Sequence, residues 1–415
     1  MLFYDNITIG DYIIYYYFGF LNPYWAIFFK KVAFLDITGI ICEYNPLHLG
    51  HKKQIDFLRT QFPGGGIVCL MSGNFVQRGQ PAIFHKSIRA QAAIESGADL
   101  VLELPVTAAL SSAEGFAAEG VRILGKFCNR LCFGAENADE AQLMAVAKAL
   151  LTQDFSEHLA AALETGVSFP AARVLALEKM GVDGSILSQP NNILGVEYCK
   201  AILGQNSRMS PLPILREGSY HESQADPENP SATAVRELMV NGQPWEDYVP
   251  EEARECFKNA DVHTLAAGER AILGRLRTMT DWEFEALPYG SEGLWRKLMH
   301  AARKEATLEG ILTAVKSKRY TRTRLDRMVM CAFLGLDREV METSAPYARV
   351  LAFNARGREI LKTARKFGDF PNIGEKTGHP YEEIENRVGS LYGLFCMGSV
   401  GSPDGEEKCR VYYGK

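Results

Sequence analysis

The stretch from residue 38 to residue 54, TGIICEYNPLHLGHKKQ, constrains the fold more than any other part of the chain. Its apolar start ends at a polar turn, and helical spacing of apolar residues resumes at Ile55. This order predicts a buried strand, a tight turn and the start of a helix. Unpaired N–H groups at the start of a helix favour the binding of phosphate. His48 and His51 can donate hydrogen bonds to phosphoryl oxygens, and Gly50 lets a ligand approach the backbone closely. The stretch therefore predicts an ATP site.

Strands and helices alternate in the sequence up to about residue 241. Apolar runs that predict buried strands lie at residues 32–42, 67–71, 99–104, 130–133 and 212–216. The segments between them have the spacing of amphipathic or small-residue helices, which is typical of an α/β fold with a doubly wound parallel sheet. Ligands of such sheets bind at the carboxyl ends of the strands, so the polar turns that follow the strands are the expected site.

The length of 415 residues predicts more than one domain. A linker that contains Gly and Pro at residues 242–250 predicts a boundary, and almost all of residues 251–366 predict helix. We therefore expect an ATP-binding α/β domain at 37–245, a helical domain at 250–380 and a C-terminal segment at 381–415.

Residues 1–36 form an atypical extension that is dense in aromatic side chains. Two interpretations are open. The run at residues 12–29 is barely long enough to anchor the chain in a membrane, or the extension results from an upstream start and adds residues that the fold does not use. We favour the second interpretation, because the first predicted strand of the domain begins near residue 32, and we expect no membrane partner.

Composition excludes some classes of protein. A hydrophobic content of 47% and a charged content of 23% are typical of folded soluble proteins, and a net charge of −5 argues against a wholly basic nucleic-acid coat protein. The nine cysteines include no Cys-x-x-Cys pair, which favours reduced thiols in a cytoplasmic protein and gives no zinc framework or other metal site.

A second motif, Ser231-x-Thr233-x-x-Arg236, follows the histidines after about 180 residues. Two hydroxyls at a helix start with an arginine one turn later suit the oxygens of a triphosphate. The simpler interpretation is an ordinary N-cap with a surface arginine. His48 and His51 have a similar alternative, in which they only cap their helix.

Several motifs resemble those of a known family. His48-Leu49-Gly50-His51 after a strand is similar to the His-x-Gly-His signature of the nucleotidyltransferase superfamily, and the downstream Ser-x-Thr-x-x-Arg is also found there. The longer run at residues 39–51 resembles the bacterial tRNA(Met) cytidine acetate ligase family, and strings of residues at 71–79, 97–105, 133–136, 190–195, 319–321 and 349–354 extend the resemblance from about residue 38 to 366.

The resemblance implies a Rossmann-like nucleotidyltransferase domain and assigns residues to its site. His48, His51, Ser231, Thr233 and Arg236 are implied as catalytic. The implied ATP-binding residues are Ile41, Cys42, Glu43, Tyr44, Asn45, Pro46, Leu47, His48, Leu49, Gly50, His51, Lys52, Lys53, Gln54, Gly134, Asn191, Asn192 and Arg216. Which of Asn191 and Asn192 faces the nucleotide stays open.

The basic stretch at residues 295–327 points to RNA. It holds ten Lys and Arg residues against three acidic ones, in a chain whose net charge is negative. A solvated helix face is the alternative, but Tyr320 lies among the cations, an arrangement suited to phosphate contacts and base stacking. The candidate RNA-binding residues are Lys316, Lys318, Arg319, Tyr320, Arg322 and Arg324.

The resemblance implies an ATP-dependent ligase that joins acetate to the wobble cytidine of elongator tRNA(Met) through an acetyl-adenylate. Mg²⁺ is expected, because it neutralises the triphosphate during adenylyl transfer. Two rivals remain: a metabolite adenylyltransferase, and a non-catalytic RNA-binding protein on the same fold. The basic helical region argues against the first rival, and the intact His and Ser-x-Thr-x-x-Arg motifs argue against the second. Oligomeric state is left open.

Overall fold

The computed structural model of the chain describes residues 5–9, 12–16, 27–31, 36–216, 229–317, 319–401 and 409–414. Two compact units are present, Met1–Asp36 and Ile37–Lys415. In the first, β1 (Asp5–Ile9), β2 (Tyr12–Tyr16) and β3 (Ile27–Lys31) form an antiparallel sheet in that order. Within the described residues, no helix has the length and apolar character needed to cross a membrane. Both interpretations of this extension stay predictions.

The remaining strands belong to the second unit. They are β4 (Ile37–Cys42), β5 (Gly66–Ser72), β6 (Phe75–Val76), β7 (Gln80–Pro81), β8 (Leu100–Leu104), β9 (Arg130–Ala135), β10 (Ser210–Leu215), β11 (Val350–Phe353) and β12 (Tyr412–Tyr413). β6 and β7 form a short antiparallel hairpin. The other seven form one sheet in the order β10-β9-β4-β5-β8-β11-β12.

Five neighbouring strands of this sheet, β10, β9, β4, β5 and β8, are parallel, which confirms the predicted fold class. From β4 the chain builds β5 and β8 on one side and then returns to build β9 and β10 on the other. The direction of winding therefore reverses between β4 and β9. In open α/β sheets, ligands bind at the carboxyl ends of the strands at such a switch point.

One part of residues 251–366 differs from the helical prediction. β11 pairs antiparallel with β8, and β12 continues the sheet beside β11. Val350, Leu351 and Ala352 are buried there, and the run is only four residues long. A short apolar run fits a strand or a helix equally well from its spacing. Pairing with the edge of β8, which lies about 250 residues earlier in the sequence, decides the outcome.

Helices cover both faces of the sheet and form the region beyond it. They are α1 (Leu49–Gln61), α2 (Lys86–Glu95), α3 (Val106–Ala109), α4 (Ala113–Leu124), α5 (Glu140–Leu150), α6 (Gln153–Glu164), α7 (Phe169–Lys179), α8 (Pro190–Gly204), α9 (Ala232–Val240), α10 (Glu251–Lys258), α11 (Leu265–Thr278), α12 (Asp281–Glu285), α13 (Leu294–Lys304), α14 (Leu308–Val315), α15 (Arg322–Leu334), α16 (Arg338–Glu342), α17 (Ala355–Ala364) and α18 (Tyr381–Tyr392).

Three hydrophobic clusters hold these layers together. Alternate residues of the strands face opposite sides. Ile41 belongs to the cluster that includes residues of α4, α5, α8 and α17, whereas Ile40 belongs to the cluster that includes residues of α1, α2, α9 and α10. The third cluster joins α11, α13, α14, α15 and α18, and it includes Phe75, Val106 and Leu110 from the sheet region. The helical region thus shares buried apolar surface with the sheet.

The predicted boundary at residues 242–250 does not separate two compact units, because Ile37–Lys415 is one unit. α10 follows this linker and packs on α2, where the Phe84 and Phe257 rings stack with their centroids 4.9 Å apart. The segment 381–415 supplies α18 and β12 to the same unit. Separate functions for 37–245, 250–380 and 381–415 stay a prediction.

Candidate active site

The two histidines begin α1 by bonding to backbone groups of its first turn. His48 is the N-cap, and its Nδ1 accepts a hydrogen bond from the Gly50 N–H at 3.1 Å. The Nδ1 of His51 accepts from the His48 N–H at 3.3 Å, which completes a capping box. The ring centroids are 3.8 Å apart. Since both Nδ1 atoms accept, this hydrogen-bond network assigns the imidazole hydrogen of each ring to Nε2.

Burial favours the neutral form of both imidazoles. Burial, followed by the nearby His51, Arg216 and Arg236, lowers the pKa of His48 well below its ordinary value. Burial and Arg216 lower the pKa of His51 to about 3. Each ring therefore offers one N–H donor at neutral pH. The predicted capping role and the predicted ligand role use different nitrogens of the same ring.

A cavity of about 700 Å³ lies at the switch point, at the carboxyl ends of β4, β9 and β10. Both histidines line it. The candidate residues that line the cavity are Ile41, Cys42, Glu43, Tyr44, Asn45, His48, Gly50, His51, Lys53, Gln54, Gly134, Asn191, Arg216, Ser231, Thr233 and Arg236. These residues come from five separate parts of the chain, at 41–54, 134, 191, 216 and 231–236, and the fold brings them together around one space.

Five candidates are absent from the described lining: Pro46, Leu47, Leu49, Lys52 and Asn192. Leu47 is fully buried in the core beneath the turn. Lys52 forms an ion pair with Asp56 one turn along α1. Leu47 and Lys52 therefore support the turn and α1, and nucleotide contact at these five positions stays a prediction.

The two asparagines differ in where they lie. Asn191 lines the cavity, donates through Nδ2 to Glu136 Oε1 at 2.6 Å, and accepts at Oδ1 from Arg216 Nη1 at 3.2 Å. Asn192 is buried, and its Oδ1 accepts from the Asn137 N–H at 2.9 Å. Asn191 is the one that faces the space, while Asn192 holds the loop after β9.

The second motif closes the cavity from the opposite side. Ser231 is the N-cap of α9, as the simpler interpretation proposed, and accepts from the Ala234 N–H at 3.1 Å. Arg236 is not an ordinary surface arginine. Its Nη1 donates to the Asn45 carbonyl at 2.6 Å and its Nη2 donates to Thr233 Oγ1 at 3.0 Å. The start of α9 is thereby fixed against the turn that precedes α1.

Sequence reasoning missed the residue that organises the strand ends. The fully buried guanidinium of Arg89 donates to the carbonyls of Glu43 at 2.5 Å, Ser72 at 3.1 Å and Phe84 at 2.9 Å, and also to that of Gly73. It joins the turn after β4 to the end of β5. An arginine fork suits several carbonyls at once. Its partner Glu43 lies 46 residues earlier in the sequence, so no local pattern marks this arginine.

The apolar and polar walls of the cavity were also missed. Phe116, Phe133, Leu194 and Tyr198 line one part. Their helices and strand are distant in sequence, so no local pattern marks them. Gln77, Arg78 and Gln80 line another part. The sequence does contain a signal for these three residues, because they belong to a polar loop that follows a predicted strand, where the site is expected.

The candidate RNA-binding residues that the structure describes are absent from the cavity lining. Lys316 and Arg319 are exposed, and Lys318 lies outside the described residues. Tyr320 is only 6% exposed; it belongs to the helical core, and its hydroxyl donates to Glu292 Oε2 at 3.1 Å. The expectation that the Tyr320 ring stacks on a base is wrong for this structure, because apolar packing takes up the ring.

Two further candidates are engaged within the protein. Arg322 donates through Nη1 and Nη2 to the Glu309 carboxylate at 2.8 and 2.7 Å, and through Nε to Asp326 Oδ1 at 2.9 Å. Arg324 donates through Nε and Nη2 to the Tyr289 carbonyl at 3.1 and 2.8 Å. The charge of Arg322 is therefore compensated by two acids, and the position of Arg324 is fixed by a backbone carbonyl.

Comparison with known proteins shows the family of this chain. The family model described as HIGH Nucleotidyl Transferase matches residues 35–396. The tRNA(Met) cytidine acetate ligase of Clostridium novyi (strain NT) is 38% identical over 401 residues, which cover 92% of this chain and 100% of that protein. The ligase of Alkaliphilus metalliredigens (strain QYMF) is 36% identical over 371 residues, covering 82% and 87%.

Solved structures show the same similarity. The crystal structure of Thermotoga maritima TmcAL bound with alpha-thio ATP has a TM-score of 0.81 at 28% identity, and covers 91% of this chain and 99% of that one. Its apo form has a TM-score of 0.83 with the same coverage. The family match extends through both the sheet and the helical region, so this chain belongs to the tRNA(Met) cytidine acetate ligase family.

Proposed function

We propose that the chain is an ATP-dependent acetate:tRNA ligase that forms N4-acetylcytidine at the wobble position of elongator tRNA(Met). Relatives with the name of this ligase are similar to the chain over nearly their whole length. A structurally similar solved protein is bound to an ATP analogue. The observation that carries the proposal to this chain is the cavity at the switch point. His48, His51 and the Ser231 motif surround it, although the two motifs are about 180 residues apart.

In the first step, an acetate oxygen attacks the α-phosphorus of ATP. A bond forms between that oxygen and the phosphorus, the bond to the bridging oxygen breaks, and pyrophosphate leaves with the electron pair. The Nε2–H groups of His48 and His51 donate to phosphoryl oxygens as negative charge builds up. Ser231, Thr233 and Arg236 hold the β and γ groups at the start of α9.

In the second step, the N4 amine of the cytidine attacks the acetyl carbonyl carbon. A C–N bond forms, the C–O bond to the adenylate breaks, AMP leaves, and the amine loses a proton. No covalent enzyme intermediate is required. The site residues act by orienting the reactants and by stabilising charge, which are the main contributions a protein makes to such transfers.

Magnesium is expected with the nucleotide. Among the described residues there is no group of three or more His, Cys, Asp or Glu side chains placed to hold a metal ion. Mg²⁺ usually keeps waters and binds through substrate phosphates with one or two carboxylates. Glu43 fits that requirement, because it lines the cavity and its Oε1 accepts a hydrogen bond from the Gln77 N–H at 2.9 Å, which fixes the carboxylate. When bound, the ion would neutralise triphosphate charge.

The test is an incubation of purified protein with ATP, Mg²⁺, labelled acetate and unmodified elongator tRNA(Met), followed by nucleoside analysis. We expect label in N4-acetylcytidine, and none without ATP or with a non-Met tRNA. Acetate-dependent ATP–pyrophosphate exchange without labelled nucleoside would keep the adenylation step and overturn the acceptor. If the experiment gives no exchange and no labelled nucleoside, the metabolite adenylyltransferase is the favoured function. A tRNA substrate also leads us to expect a cytoplasmic protein.

A further inference from the structure

The outward face of α13 (Leu294–Lys304) is basic. The inward face is apolar and belongs to the helical core. The exposed positions are Arg296, Lys297, His300, Arg303 and Lys304. Positions four apart on a helix lie on the same side, about 6 Å from one another along the axis. These side chains therefore form a continuous basic strip, which we call the α13 face.

Most of this charge is not compensated within the protein. Among the described residues, Arg296, Lys297 and Lys304 have no ion pair, and only Arg303 has one, with Asp281 Oδ1 at 2.5 Å. This differs from the segment at residues 316–324, where Glu292 and Glu309 pair with arginines. Cations without an acidic partner on a rigid helix are available to an outside polyanion.

A further cation lies at the end of the strip. The Nη2 of Arg277 donates to the carbonyls of Glu305 and Ala306 at 3.3 and 3.4 Å. Those carbonyls fix the position of the guanidinium without neutralising its charge. The nearby acid Glu283 is already bonded to Arg275 at 2.7 Å. The acids around the strip therefore leave a net positive surface.

An exposed aromatic ring lies next to the strip. Trp282 of α12 is 68% exposed. Its neighbour Asp281 is the ion-pair partner of Arg303, which places α12 beside the last turn of α13. An exposed indole among cations is the combination that single-stranded nucleic acid uses, with phosphates on the cations and an unpaired base on the ring.

We propose that the α13 face, with Arg277 and Trp282, binds tRNA. Arg296, Lys297 and Lys304 contact phosphates, and Trp282 stacks on an unpaired base. This rests on the proposed function for the identity of the RNA. It moves the main contact away from residues 316–324, where Arg319 and Arg322 are ion-paired and Tyr320 is buried. A flexible acidic protein segment would match the cations but gives no role to a flat exposed ring.

The experiment measures binding of unmodified elongator tRNA(Met) to the full chain by fluorescence anisotropy over a range of salt concentrations. Lys297→Gln, Lys304→Gln and their double variant are compared with wild type. Removal of one phosphate contact should reduce the slope of log K against log salt by about 1. Trp282→Ala should weaken binding by about fivefold or more with little change in slope.

Lys148→Gln on α5 is the matched control, because Lys148 is also an exposed lysine in the last turn of a helix. Acetate-dependent ATP–pyrophosphate exchange should be unchanged in every variant, which shows that the ATP site is intact. Wild-type slopes in Lys297→Gln and Lys304→Gln would overturn the proposal. The proposal would also be overturned if these variants bound tRNA as tightly as wild type but bound a polyglutamate peptide more weakly. Absence of exchange in the wild type would count against the proposed function, while the salt slopes would still decide the surface.

Discussion

At the scale of single residues, the histidine pair shows how one side chain serves structure and chemistry. The Nδ1 atoms of His48 and His51 complete the cap of α1, and this leaves Nε2–H for the cavity that both rings line. The cap orients the rings before any ligand arrives. Donors fixed in advance stabilise developing charge without a further cost of reorganisation.

His51→Ala should lower acetate-dependent ATP–pyrophosphate exchange by about 10²-fold or more, because it removes a donor to the phosphates. It should leave tRNA binding unchanged. Removal of the cap bond costs only about 0.5–2 kcal/mol of stability. His51→Gln is the stability control, since Gln at this position can restore the capping box. Wild-type exchange in His51→Ala would contradict the assignment.

His85 makes the stability of the fold depend on pH. It caps α2, and burial, with Lys86, Arg89 and His263 nearby, lowers its pKa to about 3. Below pH 6.5 the unfolded chain gains a proton that the folded chain does not, so the free energy of unfolding falls as pH falls, by at most about 1.4 kcal/mol per pH unit.

His85→Asn keeps an N-cap acceptor and removes this titration. Denaturant unfolding at several pH values measures this effect. Between pH 6 and pH 4.5, the free energy of unfolding of the variant should rise relative to that of wild type by about 1 kcal/mol for each pH unit that the pH falls. At pH 8 the difference between the two proteins should be independent of pH. Parallel pH curves throughout would show that His85 is not the titrating group.

At the scale of elements, the loop between β6 and β7 connects the cavity to the helical region. Gln77 and Gln80 line the cavity, and the Arg327 Nη1 of α15 donates to the Gln77 carbonyl at 3.4 Å. Gly79 has a φ of 73° and lies so close to α15 that a Cβ there would be 2.5 Å from the Arg327 backbone nitrogen. The loop therefore contacts both the cavity and α15 of the helical region.

Gly79→Ala should therefore destabilise the protein more than the same change at Gly181. Both glycines have a φ of 73°, so both variants carry the left-handed backbone cost of about 1–2 kcal/mol. Nothing lies within 4 Å of the Cβ position at Gly181. The clash with α15 should add about 1–3 kcal/mol at Gly79, as measured by denaturant unfolding. Equal destabilisation in the two variants would rule out the close approach.

At the scale of the whole molecule, the last segment is part of the compact unit. Glu385 of α18 is buried and accepts from Arg349 Nε at 2.7 Å and from the Tyr347 hydroxyl at 2.8 Å. The Tyr392 hydroxyl donates to the Ala82 carbonyl at 2.9 Å. These bonds join α18 to the edge of the sheet, so the segment at residues 381–415 is not an appendage.

Glu385→Gln should lower the free energy of unfolding by about 3 kcal/mol, because it leaves the buried Arg349 guanidinium without its countercharge. Glu383→Gln is the control. Glu383 is in the first turn of the same helix and is exposed, so its substitution should cost well under about 1 kcal/mol. A similar small effect at both positions would mean that the buried pair does not stabilise the unit.

The local part of the site could be predicted because it lies in one continuous stretch. The strand, turn and helix from residue 37 to 61 follow from apolar spacing and from the residues at the turn. The doubly wound sheet follows from repeated alternation. Tyr320 was misjudged, because an aromatic residue among arginines has the same sequence pattern whether its ring is buried or exposed.

The sequence by itself determined most of the elements of the ATP-binding region, the α/β class and the two motifs, since each depends on residues within a turn or two of one another. Only the tertiary structure decided that Arg236 bonds to the Asn45 carbonyl, that Arg89 joins two strand ends and that β11 completes the sheet. Those interactions join residues about 17 to 250 positions apart. Long-range packing selects such partners by shape and by the need to pair buried polar groups, and neither leaves a periodic signal in the chain.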